Sequence, residues 1–240
     1  MQRYFYLGDT SSEIVELSQK ESHHLHNVAR VRTGECIALL NGNGTIARGK
    51  LLSVGKKCAR VKIENITEID RPKCSLTLLQ ATLTNANNDY IVHEATAIGV
   101  REIIFFEAQN SECKLRSKIE NKLLRWGILA MEACKQSGNP FLPKISYHEA
   151  LGAVNFEHFD LGIFAGLSDD ARSLEKAISQ HPSAKNICIA IGPEGDFSQS
   201  EYGLLRAKHL MECGLTRNIL RSETAAIYSL SVLDQLLCRN

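Results

Sequence analysis

From residue 75 onward, apolar runs alternate with amphipathic stretches. Apolar runs bounded by turn-forming residues predict strands at 75–81, 102–107, 160–165 and 186–191. Apolar residues at helical spacing predict helices at 87–98, 117–136, 170–179 and 199–211. A solid apolar run such as the one at 187–191 is typical of a strand that is buried on both faces of a sheet. Because strands alternate with helices, we predict an α/β domain with a parallel sheet.

The first part of the chain has a different pattern, in which short strands are joined by tight turns. Strands are predicted at 35–40, 45–52 and 58–63. The first two flank an Asn-Gly-Asn-Gly sequence, which is a strong hairpin signal. Such a series predicts a small β-barrel. Arg71-Pro72-Lys73 is the expected linker, since a residue before proline is driven towards extended geometry, and we predict two domains, 1–72 and 73–240.

The sequence Ile-Gly-Pro-Glu-Gly-Asp-Phe-Ser at 191–198 follows the last of the four predicted strands. Glycine lets the backbone approach a ligand closely, and proline fixes the turn. Ser198 and Glu201 have the spacing of a capping box, which predicts a helix from Gln199. A strand's carboxyl end, a glycine turn and a helix N-terminus together are the usual ligand position in an α/β sheet. We therefore predict a binding site here, with an ordinary β-to-α turn as the alternative.

A second informative segment has the sequence Leu-Thr-Arg-Asn-Ile-Leu-Arg-Ser-Glu-Thr-Ala at 215–225. It predicts a short apolar strand that ends in Arg221 and a helix that begins at once. We interpret Ser222 as the N-cap and Glu223 as an acid that the helix dipole favours. By pattern alone, Arg221 and Glu223 fit surface charges as well as functional groups.

Composition narrows the class of protein. Hydrophobic residues make up 44% of the 240 and charged residues 23%, which is typical of a globular protein with a substantial core. No apolar run approaches the roughly 20 residues that cross a membrane, and the N-terminus lacks a signal-peptide core. We therefore expect a cytoplasmic protein without membrane contact. His23, His24 and His26 have no cysteine or second histidine pair nearby, so we expect no metal.

Basic residues are concentrated in the first part of the chain. Residues 1–73 contain 12 Lys and Arg against 8 Asp and Glu, whereas the remainder contains 16 against 19. A basic small domain attached to a slightly acidic large one fits an RNA-holding module on an enzyme. Ordinary variation in composition is the alternative.

Taken together, the segments at 191–201 and 215–225 resemble the ribosomal RNA small-subunit methyltransferases that methylate uridine at N3, within the SPOUT superfamily of knotted methyltransferases. The sequences at 23–30 (HHLHNVAR), 94–100 (EATAIGV) and 136–138 (QSG) are similar to that family as well. The resemblance implies a PUA-like barrel in the small domain and a trefoil knot in the α/β domain. It also implies S-adenosylmethionine as the cofactor, ribosomal RNA or the assembled small subunit as the partner, and a homodimer.

The resemblance further implies roles for particular residues. The expected cofactor-binding residues are Ile191, Gly192, Pro193, Gly195, Leu215, Ile219, Leu220, Thr224 and Ala225. Arg221 is the candidate for stabilising the negative charge on a uracil that has lost its N3 proton, because a fixed cation favours that anion. Glu223 or Glu194 would accept the proton or hold Arg221 in place, and both assignments stay open. Arg30 and Arg32 are expected to bind RNA.

Several positions depart from the family pattern, mostly among residues expected to face the substrate. They are Thr84, Glu94, Ala97, Asn139 and Asn218. Arg217 and Lys135 are candidates to compensate for lost basic residues. Two alternatives therefore stay open: a knotted methyltransferase for another RNA or position, and an RNA-binding protein of the same fold with weakened catalysis.

Overall fold

The structure is a computed structural model that describes residues 4–6, 8, 12–55, 57–115, 119–168 and 170–237, with only the backbone of residues 4–6. The chain forms two compact units. One contains Met1–Arg71 and Met131–Leu142, and the other contains Pro72–Ala130 and Pro143–Asn240.

The first unit is built on a five-stranded sheet. Its strands are β1 (Tyr4–Tyr6), β2 (Ile14–Glu16), β3 (Cys36–Leu40), β4 (Thr45–Val54) and β5 (Ala59–Glu68). Their order is β1-β3-β4-β5-β2, and all neighbours are antiparallel except β1 and β3. The three strands predicted in this region are confirmed. β4 and β5 extend further than predicted because they pair with each other along their length, from Thr45 opposite Glu68 to Val54 opposite Ala59.

The predicted hairpin turn between β3 and β4 is confirmed. The Asn41 side-chain oxygen accepts hydrogen bonds from the backbone N–H groups of Asn43 (2.8 Å) and Thr45 (3.1 Å). Gly42 and Gly44 have φ of 80° and 105°, a region that glycine enters without a steric penalty. The Leu142 N–H donates to the Gly42 carbonyl at 2.9 Å, so the segment Met131–Leu142 supports this turn.

Between β2 and β3 the first unit is helical. Helix α1 (Gln19–His23) begins after Ser18, whose hydroxyl accepts from the Glu21 N–H, and a π-helical segment (His24–Ala29) follows. That segment ends at Arg30, which has a left-handed backbone with φ of 50°. The core of the unit consists of Val15, Leu17, Leu25, Val31, Ile37, Leu39, Ala47, Leu51, Ala59 and Val61.

The second unit contains a seven-stranded parallel sheet. Its strands are β6 (Ser75–Ala81), β7 (Glu102–Phe106), β8 (Lys144–His148), β9 (Leu161–Ala165), β10 (Arg172–Ser173), β11 (Asn186–Ile191) and β12 (Met211–Gly214). The order is β10-β12-β9-β11-β6-β7-β8. Residues 187–191 of the central β11 are all buried, as its apolar run predicts. The predicted α/β domain with a parallel sheet is confirmed.

The described part of the chain contains five further α-helices and a short 3-10 helix (Leu151–Ala153). The α-helices are α2 (Asn85–Ile98), α3 (Ile119–Ser137), α4 (Leu174–Ser179), α5 (Gln199–Ala207) and α6 (Ser222–Leu237). Residues 117 and 118 of the predicted helix at 117–136 lie outside the described residues. The capping box at the start of α5 is confirmed, with reciprocal bonds between Ser198 and Glu201. No helix in the described part of the chain is long and apolar enough to cross a membrane.

Several of the predicted helix and strand boundaries were wrong. The helix predicted at 170–179 begins only at Leu174, because Ser173 caps it by accepting from the Lys176 N–H. The helix predicted at 199–211 ends at Ala207, since His209 is left-handed and the chain turns into β12. The strand predicted before Arg221 is wrong, because 215–221 form a loop and the strand is β12. Strands β1, β2, β8, β10 and β12 were not predicted, and the trefoil knot stays a prediction.

Candidate functional site

A cleft of about 570 Å³ opens at the carboxyl ends of β9, β11 and β12. Residues 165–168 after β9, 191–194 with Asp196 after β11, and 214–222 after β12 form its walls, together with Ala225 of α6. Ligand sites in parallel sheets lie at this edge, and small-molecule pockets have this size. The cleft therefore has the position and volume of a small-molecule site.

Most of the predicted site residues line the cleft. The predicted cofactor residues that do so are Ile191, Gly192, Pro193, Leu215, Ile219, Leu220 and Ala225. Arg221 and Glu194 line it as well. Gly195, Thr224 and Glu223 are not among the residues that line it. The binding and catalytic roles of all these residues stay predictions.

Several lining residues were not predicted as part of the site. They are Ala165, Gly166, Leu167, Ser168, Asp196, Gly214, Thr216 and Ser222. Arg217 and Asn218, which the sequence analysis named only as a compensating cation and as a departure from the family pattern, line the cleft as well. The sequence did contain a signal for residues 165–168, because they lie at or just after the end of the predicted strand at 160–165. Loops that follow neighbouring parallel strands meet at one edge of a sheet, so the loop after that strand was a candidate.

Asn110 holds the glycine turn after β11 from outside the cleft. Its side-chain N–H group donates to the carbonyls of Gly195 and Asp196, at 3.0 Å each. A Cβ on Gly195 would lie 3.2 Å from the Asn110 Cβ, which is tighter than ordinary contact. Close packing on Asn110 therefore accounts for glycine at position 195.

Asp196 occupies a left-handed position in the same turn, with φ of 61°. Its carboxylate accepts hydrogen bonds from the backbone N–H of Phe197 (2.8 Å) and from the Tyr202 hydroxyl (2.9 Å). Burial raises the pKa of Tyr202, and the hydrogen bond to Asp196 raises it further. The Tyr202 hydroxyl is therefore protonated at neutral pH. By donating its hydrogen bond, it fixes the position of the Asp196 carboxylate.

Helix α6 begins at the edge of the cleft, and its first residues differ from the prediction. The Arg221 carbonyl accepts from the Ala225 N–H at 2.8 Å, and the helix starts at Ser222. Ser222 is therefore not the N-cap. Its hydroxyl donates to the Gly192 carbonyl at 2.5 Å and accepts from the Gln80 side-chain nitrogen at 3.0 Å. These tertiary partners occupy the hydroxyl that a cap would need.

Both signs of charge line the cleft. Arg217 and Arg221 are exposed cations, and Glu194 and Asp196 supply carboxylates. Within the described ranges, no carboxylate lies within 4.0 Å of either guanidinium, so neither arginine is held in an ion pair there. No group of three or more His, Cys, Asp or Glu among the described residues is placed to hold a metal ion.

Lys135, the other candidate compensating cation, has a different role in the first unit. Its ammonium group is almost fully buried and donates to the carboxylates of Glu21 and Glu132, at 2.9 Å each. A buried ammonium between two carboxylates has no free face for a phosphate group. Of the two candidate compensating cations, only Arg217 is exposed.

Glu212 of β12 supports the loop after β9. Its carboxylate accepts from the Arg206 guanidinium (2.8 Å) and from the Ser168 N–H (3.3 Å), and it lies against the Cα of Gly166. Burial raises the pKa of the Glu212 carboxyl, but the hydrogen bonds from Arg206 and Ser168 outweigh burial, and the net pKa lies below its ordinary 4.5.

Glu212→Gln is expected to lower the free energy of unfolding by about 1 kcal/mol at pH 7, because the charged hydrogen bond to the half-exposed Arg206 is lost. Since the folded-state pKa is depressed, this stabilisation is present above pH 4.5 and disappears as pH falls through the lowered pKa. Urea unfolding of both proteins at pH 7 and below pH 4 tests this. The exposed Glu175→Gln is the control, and an equal gap between wild type and Glu212→Gln at both pH values would contradict it.

Comparison with known proteins identifies two matching family models. An RNA methyltransferase domain matches residues 70–234, and an RNA methyltransferase PUA domain matches residues 17–64. The second match confirms the small PUA-like domain predicted in the first part of the chain.

Several relatives are similar over most of their length. Ribosomal RNA small subunit methyltransferase E of Bacillus subtilis (strain 168) is 28% identical, over 98% of this chain and 96% of its own. The protein of the same name from Mesomycoplasma hyopneumoniae (strain 232) is 31% identical, over 70% of this chain and 73% of its own. The solved ribosomal RNA small subunit methyltransferase E from Neisseria gonorrhoeae, bound to S-adenosyl methionine, has a TM-score of 0.86 and 26% identity over 98% of both chains.

Proposed function

This chain belongs to the RNA methyltransferase family, and on that premise we propose that it transfers the methyl group of S-adenosylmethionine to N3 of a uridine in small-subunit ribosomal RNA. The observation that carries the proposal is the cleft at the carboxyl ends of β9, β11 and β12, in a fold that matches a relative bound to S-adenosyl methionine. The enzyme class and the cofactor predicted from the sequence are confirmed by the same comparisons.

The chemistry of the cleft fits this cofactor. Ile219 is 80% exposed and Leu167 is 61% exposed, although both are large apolar residues, and both line the cleft. An adenosine placed there covers such surface. Glu194 and Asp196 favour the positive charge of a sulfonium through their carboxylates. Backbone groups of the 191–194 turn supply hydrogen-bonding partners. A ligand can approach the backbone closely at Gly192 because this residue has no side chain.

The protein's own residues must handle the N3 proton and the resulting negative charge. S-adenosylmethionine, when bound, supplies the methyl group. Arg221 lies at the junction of a loop and α6, where the hydrogen bond from Ala225 fixes its backbone, and its guanidinium lines the cleft as a cation that can stabilise a uracil anion. Glu194 lines the cleft with Arg221 whereas Glu223 does not, and we assign proton acceptance to Glu194.

We assign RNA binding to residues 1–72 and methyl transfer to residues 73–240. Arg30 and Arg32 are both exposed, and Arg30 ends the π-helical segment in a left-handed conformation, with its backbone N–H bonded to the Leu25 carbonyl. Exposed arginines at a fixed position of a basic region suit contacts with phosphate groups.

Arg30→Ala is expected to weaken RNA binding and to reduce the dependence of the binding constant on salt, because one fewer phosphate contact releases fewer counterions. The slope of log K against log salt should become less steep by about 1. Filter binding at several salt concentrations measures this. Arg60→Ala is the matched control, since Arg60 is engaged with Glu16 at 3.0 Å in the same unit. Equal slopes for Arg30→Ala and wild type would contradict the assignment.

We also propose a homodimer. Tyr228 of α6 is exposed, and Ile227 and Val232 of the same helix are only partly buried. A helix with apolar residues on several faces is typically buried or shared with a partner. Light scattering at micromolar concentration is expected to give twice the mass of the 26.6 kDa chain. A monomer at that concentration would contradict this prediction.

Transfer of tritiated methyl groups tests the proposed activity. Small ribosomal subunits that lack the modification are expected to accept the label, and a mixture of transfer RNAs is expected not to. Label on another RNA would favour the alternative of a knotted methyltransferase with a different substrate. Binding of RNA without transfer would favour the alternative of an RNA-binding protein of the same fold.

A further inference from the structure

Gln80 is a fully buried amide in the middle of the second unit's sheet, with 0% of its surface exposed. The neighbouring residues of β6 are buried and apolar, among them Leu78, Leu79 and Ala81. The amide nitrogen of Gln80 donates to the Ala81 carbonyl (2.9 Å) and to the Ser222 hydroxyl (3.0 Å). Its oxygen accepts no hydrogen bond from any described residue.

Packing alone does not favour glutamine at this position. A buried carbonyl without a partner destabilises the folded state. A buried polar group that lacks a partner calls for a reason in addition to packing. The Gln80 side chain makes its two hydrogen bonds, to the Ala81 carbonyl and the Ser222 hydroxyl, through its nitrogen and none through its oxygen.

Those bonds connect the sheet to two segments of the cleft. Gln80 pairs with Ile191, the last residue of β11, and the chain enters the glycine turn immediately afterwards. Because the Ser222 hydroxyl accepts from Gln80, its own proton is directed to the Gly192 carbonyl, at 2.5 Å. Gly192 and Ser222 both line the cleft, and Arg221 directly precedes Ser222.

We propose that Gln80 is a positioning residue for methyl transfer, which acts through the Ser222 hydroxyl to fix the Gly192 turn and the start of α6 relative to each other. The effect on methyl transfer rests on the proposed function. The coupling between the Gly192 turn and the start of α6 does not, because it exists in the protein without cofactor. By holding the start of α6, Gln80 sets the orientation of Arg221 although the two do not touch.

Hydrogen exchange of the protein without cofactor tests the coupling. Gln80→Met keeps the length of the side chain and removes the amide. We expect faster exchange at the Ala225 amide, which donates to the Arg221 carbonyl, and at the Asp196 amide, which donates to the Pro193 carbonyl of the turn, beyond any change at the other amides of the sheet. Thr77→Val is the control, because Thr77 is another buried polar residue of β6. Unchanged exchange in both segments would overturn the proposal.

Single-turnover methyl transfer tests the consequence for the reaction. Gln80→Met is expected to lower the rate at saturating cofactor at least tenfold, with a smaller change in cofactor affinity. Ser222→Ala should cause a similar loss, and Gln80→Met should add nothing to it, because the amide acts through that hydroxyl. Independent losses in the double variant, or a normal rate for Gln80→Met, would overturn the positioning role. A wild-type protein without transfer would contradict the proposed function instead, and hydrogen exchange would still decide the coupling.

Discussion

Replacing Arg221 with alanine is expected to lower the single-turnover rate of methyl transfer by roughly 10²–10³-fold, as loss of one preorganised charge-stabilising donor typically does. The negative charge on uracil develops as N3 loses its proton, so the interaction is stronger along the reaction path than with the neutral uridine of the ground state. An interaction of that kind appears in the rate and hardly in ground-state affinity. We therefore expect the affinity for S-adenosylmethionine to change only a few-fold.

Two further variants test this role: Arg221→Lys keeps the positive charge, and Arg101→Ala is the control. Lysine should restore little activity, because an ammonium does not reproduce the planar guanidinium fork. Arg101 is an exposed arginine of the same unit that is not among the residues lining the cleft, and its removal should leave the rate unchanged. A near-normal rate for Arg221→Ala at saturating cofactor would make Arg221 a surface charge.

Gly192→Val is expected to weaken binding of S-adenosylmethionine at least tenfold, or about 1.4 kcal/mol. A Cβ at this position would lie 3.2 Å and 3.3 Å from two ring atoms of Phe197, which is buried. The turn must shift to relieve this contact, and the hydrogen bond from Ser222 to the Gly192 carbonyl shifts with it. Overpacking of this kind also lowers the free energy of unfolding, typically by 1–3 kcal/mol.

Titration calorimetry measures the affinity, and Gly203→Val is the matched control. Gly203 is an exposed residue of α5, where an added Cβ meets no atom within 4 Å. The same change of side chain there should leave cofactor affinity unaltered. Equal affinity for Gly192→Val and wild type would remove the turn from the cofactor site.

Local patterns were sufficient for the elements that surround the cofactor turn. The apolar run of β11, the glycines and proline after it, and the Ser198–Glu201 capping box are signalled by residues close together in the sequence. Remote contacts, such as the bonds from Asn110 to the turn, reinforce these elements and do not redirect them. The small domain's hairpin was predictable for the same reason, since Asn41 and two glycines signal the turn, and the bond from Leu142 to Gly42 adds support.

Elements that depend on remote partners were not predictable. Ile219 and Leu220 look like strand residues, yet Ile219 is exposed on the cleft and the sheet instead pairs β12 with β9. Ser222 has the residue type of an N-cap, but Gly192 and Gln80, both distant in sequence, occupy its hydroxyl. Glu212 likewise supports a loop 44 positions away.

Methylation of N3 of a uridine in small-subunit ribosomal RNA can be tested by identifying the product. Small subunits lacking the modification should be incubated with the protein and S-adenosylmethionine, and their RNA digested to nucleosides for chromatography and mass spectrometry. We expect one new methylated nucleoside that co-elutes with 3-methyluridine, and almost none with Arg221→Ala. A methylated nucleoside of different identity, or no product from the wild-type protein, would contradict it.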